Sequence, residues 1–343
     1  MQWIPTKLLL KSGESFSGIS PSWQKEDAFG EVVFSTGMTG YVESLTDPSF
    51  AGQILAFTFP LIGNYGVPDA KWWESGKIQA AGVVTAEICQ SNHAFLTWLE
   101  RESIPLITDV DTRALTMALR KKGAQLGVIC PLNRTPKKFF DPNSTHLVQK
   151  VSPPKREVYG TGPKTIIAVD CGMKQNSLRY FMRYPLKIIR VPFDYDYTDE
   201  EYDGLFLSNG PGDPTVCKET IAIMQKALKK KKSFFGICLG AQLLALAIGA
   251  STYKLKFGHR GHNHPCRDEE RDRCILTSQN HGYAIDEKSL PSSWKVTFRS
   301  INDGSVEGIA HRTLPYFAVQ FHPESSPGPT DASYLFDQFY ESL

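Results

Sequence analysis

One stretch indicates the fold of this 343-residue chain: residues 233–244, Ser-Phe-Phe-Gly-Ile-Cys-Leu-Gly-Ala-Gln-Leu-Leu. A short apolar run ends in Gly-Ile-Cys-Leu-Gly, and strong helix formers follow at once, which predicts a strand, a sharp turn and a helix. Cys238 lies at the turn, between Gly236 and Gly240, where larger side chains would clash. The positive end of the helix would favour the thiolate form of Cys238. Taken alone, the motif is equally compatible with a buried structural cysteine.

Short apolar runs alternate with amphipathic segments throughout the second half of the chain. The predicted strands are 165–169, 187–191, 204–208, 234–235 and 316–321. This alternation predicts a doubly wound α/β domain with a mainly parallel central sheet. In such domains the carboxyl ends of the strands form the site, and both Cys238 and the Gly-rich turn 209–212 lie there.

The first half of the chain has a different pattern. Strand-like runs at 7–10, 30–34 and 53–59 are separated by Gly, Ser and Pro turns, and residues 112–122 are predicted to form a helix. We therefore expect an N-terminal mixed α/β domain in residues 1–150. A polar, Pro- and Gly-rich segment at 151–163 is typical of a linker, and the second domain would comprise residues 164–343.

The composition excludes several classes of function. A charged fraction of 22% and a net charge of +2 give no indication of a nucleic-acid or membrane surface. The seven cysteines are scattered and odd in number, and we find neither a secretory signal nor an apolar run of membrane-spanning length. These features predict a cytoplasmic protein with reduced thiols.

A second motif supplies the groups that a catalytic cysteine needs. His322-Pro-Glu324 follows a predicted strand, so an imidazole base and a carboxylate that orients it would lie at a strand end. Alone, the motif fits a surface turn, but together with Cys238 it predicts a Cys-His-Glu triad. The backbone amide of Leu239 and the Gly-rich turn 208–214 are candidate donors to an oxyanion.

Four motifs occur in the order found in triad-type, class I glutamine amidotransferases. They are Ser-Asn-Gly-Pro-Gly-Asp-Pro (208–214), Gly-Ile-Cys-Leu-Gly-x-Gln (236–242), Gln-Asn-His-Gly-Tyr (279–283) and His-Pro-Glu (322–324). Further stretches at 30–41, 45–50, 109–116, 256–265 and 325–329 resemble the small, glutamine-hydrolysing subunit of carbamoyl phosphate synthetase. The resemblance covers nearly the entire chain.

The resemblance implies a role for each matching residue. Cys238 would be the nucleophile, His322 the acid and base, and Glu324 the group that orients His322. The glutamine site would comprise Ser49, Gly210, Gly212, Leu239, Gln242, Asn280, Gly282 and Tyr283. Glutamine carries an ammonium and a carboxylate, so such a site needs carbonyl and amide groups. The family often has Phe at the position of Tyr283, and this change should be silent if only the backbone contacts the substrate.

The resemblance also implies a partner. The chain has neither a P-loop nor a Gly-x-Gly-x-x-Gly motif after a strand, so ATP, Mg and bicarbonate are expected on another polypeptide. That partner would be the large synthetase subunit, in a heterodimer or a higher assembly, which takes ammonia through an internal passage. We expect no cofactor on this chain, and separate subunits rather than a fused polypeptide. The product would serve arginine and pyrimidine synthesis.

The sequence leaves other interpretations open. His259, His262, His264 and Cys266 are close in sequence and have the donor types of a zinc site, but the interleaved Gly and Pro residues favour a loop, so no metal site is predicted. The chain could also serve another synthase, act as a free-standing γ-glutamyl hydrolase, or be a catalytically silent scaffold. Residues 30–50 argue against another synthase, and the intact triad argues against a silent scaffold. A free-standing hydrolase would be recognised by activity without a partner.

Overall fold

The computed structural model describes residues 2–343, which divide into two compact units, one ending at Thr145 and the other beginning at His146. This division precedes the boundary expected near residue 150. The segment 151–163, expected to be a linker, lies in the second unit, where Glu157–Tyr159 pairs with a neighbouring strand. An edge strand needs only a few residues, so a Pro- and Gly-rich composition did not reveal it.

The first unit is a mixed α/β domain, as predicted. Its strands are β1 (Trp3–Leu10), β2 (Ser15–Pro21), β3 (Ala28–Ser35), β4 (Gln53–Phe57), β5 (Leu61–Ile62), β6 (Gly82–Val84), β7 (Glu87–Ile88), β8 (Leu106–Ile107) and β9 (Gln125–Pro131). Its helices are α1 (Tyr41–Thr46), α2 (Ala94–Arg101) and α3 (Thr112–Lys122). The main sheet has the order β2-β1-β9-β3-β4-β6-β8, with β3, β4, β6 and β8 parallel.

The strand alternation of the first unit places a core on each face of the sheet. Val33 and Leu55 face α2, whereas Val32 and Ile54, their neighbours in sequence, face α3. Helix α3 has the predicted bounds: the Asp111 carboxylate accepts from the N–H of Ala114 (2.8 Å) at its start, and Gly123 follows its end. The predicted helix is therefore confirmed.

The second unit contains the remaining elements. Its strands are β10 (Glu157–Tyr159), β11 (Lys164–Asp170), β12 (Leu186–Pro192), β13 (Gly204–Leu207), β14 (Ser233–Ile237), β15 (Thr252–Asp268), β16 (Arg273–Ile285), β17 (Trp294–Ser300), β18 (Val306–His311) and β19 (Tyr316–Val319). Its helices are α4 (Leu147–Val151), α5 (Gln175–Phe181), α6 (Lys218–Ala227), α7 (Leu239–Ala247) and α8 (Tyr334–Ser342). The sheet order is β10-β12-β11-β13-β14-β19-β18-β16-β15-β17.

The parallel part of this sheet is the predicted doubly wound domain. Strands β12, β11, β13, β14 and β19 are parallel neighbours. Phe234 faces a core that includes residues of α6 and α7, and Phe235 faces a core with α5 and α8. Helices therefore cover both faces of the parallel strands, as the alternation of short apolar runs predicts.

The antiparallel extension of the sheet differs from the prediction. Residues 252–268, expected to form a loop around the histidines, are strand β15, which pairs with β16 in a long hairpin. The register shifts between Lys254 and His259 and again between Gly261 and His264. These irregularities break the alternation of polar and apolar residues from which a strand is predicted. In residues 2–343 no helix has the length and apolar character needed to cross a membrane.

Candidate active site

Cys238 lies on the turn between β14 and α7. All five residues of β14 are buried, and the N–H of Cys238 donates to the carbonyl of Val319 (2.8 Å), so the turn extends the pairing of β14 with β19. The backbone of Cys238 has φ 53° and ψ −104°, which costs a non-glycine residue about 1–3 kcal/mol. This is the strained strand-turn-helix geometry of a nucleophile elbow.

Two glycines make this turn sterically possible. A Cβ on Gly240 would lie 2.2 Å from the carbonyl oxygen of Leu207, and one on Gly236 would lie 2.9 Å from the carbonyl carbon of Gly240. Real Cβ atoms do not approach other atoms so closely, so the first turn of α7 packs against β13 only because side chains are absent there. The steric interpretation of the Gly-x-Cys-x-Gly motif agrees with these distances.

His322 and Glu324 form a buried pair after the neighbouring strand β19. Nδ1 of His322 lies 2.6 Å from Oε1 of Glu324, and both side chains are at most 2% exposed. The N–H of His322 donates to the carbonyl of Ser278 (2.8 Å), which fixes the segment against the antiparallel part of the sheet. The carboxylate accepts the Nδ1 proton, so Nε2 is left as the nitrogen that can exchange protons.

The charges around this pair favour an imidazolium beside a carboxylate. Burial alone would lower the pKa of His322, but Glu324 and Cys238 outweigh it and raise that pKa to about 10. Burial opposes ionisation of Glu324, yet His322 and Lys174 hold the pKa of Glu324 below its ordinary value. Among the described residues, Nε2 of His322 has no hydrogen-bond partner. A buried imidazole therefore has one nitrogen held and one open next to a thiol.

Several residues of the predicted glutamine site in this unit lie around the elbow. The thiol of Cys238 donates to the carbonyl of Asn280 (3.6 Å), and Nε2 of Gln242 donates to the carbonyl of Tyr283 (3.0 Å). A Cβ on Gly210 would lie 2.8 Å from Cδ2 of Leu239 and 2.1 Å from the carbonyl oxygen of Cys171. Strands β13, β14 and β19 thus bring together the Gly-rich turn, the thiol and the imidazole.

Three further predicted residues have clear local roles. Gly212 has φ 91°, a left-handed conformation that favours glycine in the turn after β13. Gly282 follows His281 in β16, and a Cβ there would lie 3.3 Å from Nη2 of Arg260. The hydroxyl of Tyr283 donates to Oδ2 of Asp213 (3.2 Å), so this side chain interacts with the Gly-rich turn.

Comparison with known proteins places both units in one family. Residues 167–342 match the family described as glutamine amidotransferase class-I, and residues 8–129 match carbamoyl-phosphate synthase small chain, CPSase domain. The carbamoyl phosphate synthase arginine-specific small chain of Aspergillus oryzae is 45% identical, over 97% of this chain and 79% of that protein. The chain belongs to the carbamoyl phosphate synthase small-chain family. Its second half is a class-I glutamine amidotransferase domain, and the predicted family and enzyme class are confirmed.

Some relatives of this small chain are much longer proteins. The multifunctional protein CAD of Squalus acanthias is 48% identical over 97% of this chain, which spans 16% of that protein. The multifunctional protein URA2 of Saccharomyces cerevisiae is 44% identical over 98% of this chain, which spans 17% of it. The family therefore includes both separate small chains and segments of large polypeptides.

Ser49 is the one predicted glutamine-site residue in the first unit of this small chain. It lies in the short 3₁₀ helix Pro48–Phe50, and its N–H donates to Oδ1 of Asp47 (2.8 Å). Ser49 is buried. Its contribution to the glutamine site stays a prediction.

The histidine cluster differs from the zinc candidate considered in the sequence. Among residues 2–343, the group of side chains close enough to share a metal ion is His259, His281 and Glu307. His262, His264 and Cys266 do not belong to it, because they lie at other positions of β15. The thiol of Cys266 instead contacts Thr277 and accepts from the amide of Gln279.

Lys174 is a site residue that sequence reasoning missed. Nζ of Lys174 lies 3.5 Å from Oε1 of Glu324 and donates to the carbonyl of Ser325, and its side chain is 3% exposed. Asn176 donates to the carbonyl of Glu324. The available signal was position: Lys174 follows β11 at the carboxyl end of the parallel sheet, where polar residues are expected to be functional.

Proposed function

We propose that this chain hydrolyses L-glutamine with a Cys238-His322-Glu324 triad and supplies ammonia for carbamoyl phosphate synthesis. The observation that carries the proposal is the buried His322–Glu324 pair (2.6 Å) beside a cysteine held at φ 53°. A structural cysteine requires neither backbone strain nor a neighbouring imidazole with an open nitrogen. Membership of the small-chain family supports glutamine as the substrate.

In the first half-reaction, His322 holds the proton on Nε2, and the thiolate of Cys238 attacks the carboxamide carbon of glutamine. The oxyanion would accept hydrogen bonds from the backbone amides of Leu239 and Gly210. His322 then gives its proton to the departing nitrogen, the C–N bond breaks, and ammonia leaves. A γ-glutamyl thioester on Cys238 remains.

In the second half-reaction, water attacks the thioester. Nε2 of His322 takes a proton from the water, the C–S bond breaks, and glutamate leaves as the thiolate is restored. Glu324 holds Nδ1 throughout, so the imidazole keeps one orientation in both halves. Ser49, Gly212, Gln242, Asn280, Gly282 and Tyr283 would bind the ammonium and carboxylate end of glutamine.

We assign the synthetase chemistry to a large partner that binds ATP, Mg and bicarbonate. In a heterodimer or a larger assembly, ammonia would pass internally from Cys238 to that partner, and the cytoplasm is the compartment that free cysteines favour. This small chain would itself need no cofactor. One group of relatives is named as arginine-specific small chains, which links the product to arginine synthesis. Another group is named as multifunctional proteins.

The test isolates the chain with its native partner and measures carbamoyl phosphate formed from ATP, bicarbonate and either glutamine or ammonia. Cys238→Ser should abolish glutamine-dependent synthesis and leave ammonia-dependent synthesis unchanged. The matched control is Cys274→Ser, because Cys274 is an exposed cysteine of the same unit. Glutamine use by the Cys238→Ser complex at the parent rate would contradict the assignment of Cys238 as the nucleophile. If the parent complex hydrolyses glutamine but forms no carbamoyl phosphate, the proposed use of the ammonia in carbamoyl phosphate synthesis would be wrong.

A further inference from the structure

Glu307 is a buried carboxylate of the amidotransferase unit that the proposed triad does not use. It belongs to β18, it is 0% exposed, and its Oε1 lies 3.1 Å from Nδ1 of His259 and 3.6 Å from Nε2 of His281. Nε2 of His259 also faces Oδ2 of Asp303 (2.9 Å). A buried charge is costly unless hydrogen bonds compensate for its lost hydration, so this arrangement needs an explanation.

His281 connects this cluster with the predicted glutamine site. Its Nδ1 lies 2.8 Å from the carbonyl of Tyr283, which also accepts from Nε2 of Gln242 (3.0 Å). The residue before it, Asn280, offers its carbonyl to the thiol of Cys238. The position of the His281 ring therefore influences two backbone carbonyls that contact predicted site residues.

The hydrogen-bond partners of His281 determine where its protons lie. A carbonyl only accepts, so Nδ1 donates to Tyr283. Nε2 faces Oε1 of Glu307 and Oε1 of Gln279 (3.2 Å), and the Gln279 amide nitrogen is already directed at Cys266 and Thr277. A proton on Nε2 would be stabilised in this arrangement, because Nε2 faces the oxygen of Gln279 at hydrogen-bond distance (3.2 Å) and the Glu307 carboxylate at 3.6 Å.

Glu307 is the group that supports this second proton. Burial lowers the pKa of His281, and the Glu307 carboxylate opposes that fall, whereas the nearby His259 adds to it. The Glu307 carboxylate is shared with His259, whose other nitrogen faces Asp303. The carboxylates of Glu307 and Asp303 therefore lie beside the two buried imidazoles of His259 and His281.

A metal ion would explain these contacts less well. Both nitrogens of His259 lie within hydrogen-bond distance of carboxylate oxygens, so both carry protons and neither offers a lone pair. The three candidate ligand atoms lie within 4.8 Å of one another, whereas ligands on a tetrahedral zinc ion are about 3.3 Å apart. Hydrogen bonds among charged groups account for the observed distances directly.

We propose that Glu307 is a positioning residue of the glutamine site: through its charge contact (3.6 Å) with a doubly protonated His281, it fixes the part of β16 that offers the carbonyls of Asn280 and Tyr283. This rests on the proposed glutaminase function only for its kinetic consequence. The protonation of His281 can be measured whether or not the protein hydrolyses glutamine. The proposal therefore has one kinetic test and one independent spectroscopic test.

The kinetic test compares Glu307→Gln with Asp303→Asn in the complex with the partner. Both variants replace an acid by its amide beside His259, but only Glu307 also contacts His281. Glu307→Gln should raise the KM for glutamine about tenfold and change kcat less than about threefold, because the pocket shifts while the triad stays intact. Asp303→Asn should leave KM within about twofold. An equal rise of KM in both variants, or none in Glu307→Gln, would overturn the proposal.

The spectroscopic test uses ¹⁵N-labelled histidine in the parent protein near pH 7. The His281 signals, assigned by their loss in His281→Asn, should show protons on both nitrogens and lose the Nε2 proton in Glu307→Gln. A neutral His281 in the parent protein would overturn the proposal even if the variant failed to fold. Stoichiometric zinc in the purified parent, lost in Glu307→Gln, would also overturn it, because the cluster would then be a metal site.

Discussion

His322 and His259 are two buried histidines of the same unit, and each lies beside carboxylates. His322 has one nitrogen on Glu324 (2.6 Å), while its other nitrogen has no hydrogen-bond partner among the described residues. His259 has both nitrogens on carboxylates, at 3.1 Å from Glu307 and 2.9 Å from Asp303. One imidazole can therefore exchange a proton with a substrate, and the other can only hold its protons in place.

Charge does not distinguish the two histidines. Burial lowers both pKa values, but adjacent carboxylates outweigh it and raise the pKa to about 10 for His322 and to about 9 for His259. The difference is location. His322 follows β19 beside the nucleophile strand β14, whereas His259 lies within the hairpin of β15 and β16. A perturbed pKa thus indicates a functional histidine only together with an open nitrogen.

The largest expected effect tests the open nitrogen directly. His322→Asn should lower kcat/KM for glutamine hydrolysis by about 10⁴-fold or more, because no other imidazole can carry the proton between Cys238 and the leaving nitrogen. The measurement is glutamate release by the complex, with His311→Asn as the control at a partly exposed histidine of β18. If kcat/KM of His322→Asn falls less than tenfold, His322 does not carry the proton, and its open nitrogen would not distinguish it from His259.

The second prediction concerns the stability that His259 contributes. Its folded pKa of about 9 exceeds the unfolded value of 6.5, so its contribution is complete below pH 6.5 and is lost as the pH rises through 9. The difference in unfolding free energy between the parent and His259→Asn should therefore shrink by about 3 kcal/mol between pH 6 and pH 10.

Urea unfolding of both proteins across that pH range measures this difference. A gap that stays constant from pH 6 to pH 10 would show that folding does not raise the pKa of His259. The two histidines would then differ in charge as well as in location. His322 cannot replace His259 in this test, because its own titration is coupled to Cys238.

The smallest expected effect concerns the hydroxyl of Tyr283, which contacts neither His322 nor His259. Tyr283→Phe removes one hydrogen bond to Asp213 (3.2 Å) but keeps the backbone carbonyl that accepts from Gln242. Glutamine KM and kcat should both stay within about twofold of the parent. A change above tenfold in KM or kcat would mean that the hydroxyl contacts the substrate. Glutamine binding would then depend on this side chain as well as on the backbone carbonyls of Asn280 and Tyr283.

The sequence predicted those parts of the site that are local motifs. Cys238 with its glycines, and His322 with Glu324 two residues later, are recognisable because a turn fixes each group of neighbours. Lys174 and Glu307 were not predicted, because their partners are remote in sequence: Lys174 contacts Glu324, 150 residues away. A single charged residue that becomes buried forms no recognisable pattern in the sequence, so only the folded structure shows which residue it pairs with.

The fold was predicted where apolar periodicity is regular. The parallel strands of the second unit match because most of their residues form short buried runs, such as Ile166 to Val169 in β11. Strand β15 was mistaken for a loop because glycines and register shifts interrupt it between Lys254 and His264. The division at Thr145 was missed because α4 and β10 are too short to show a pattern.

The distribution of the cysteines has a consequence for chemical labelling. Cys274 is exposed and Cys89 is partly exposed, whereas Cys238 is only 2% exposed on its turn. A general alkylating reagent will therefore modify Cys274 before it reaches the nucleophile, and bulk labelling of thiols will not report on the site. An electrophile intended for Cys238 must first be recognised as a ligand, so its selectivity has to come from the amino-acid end of the molecule rather than from its reactivity.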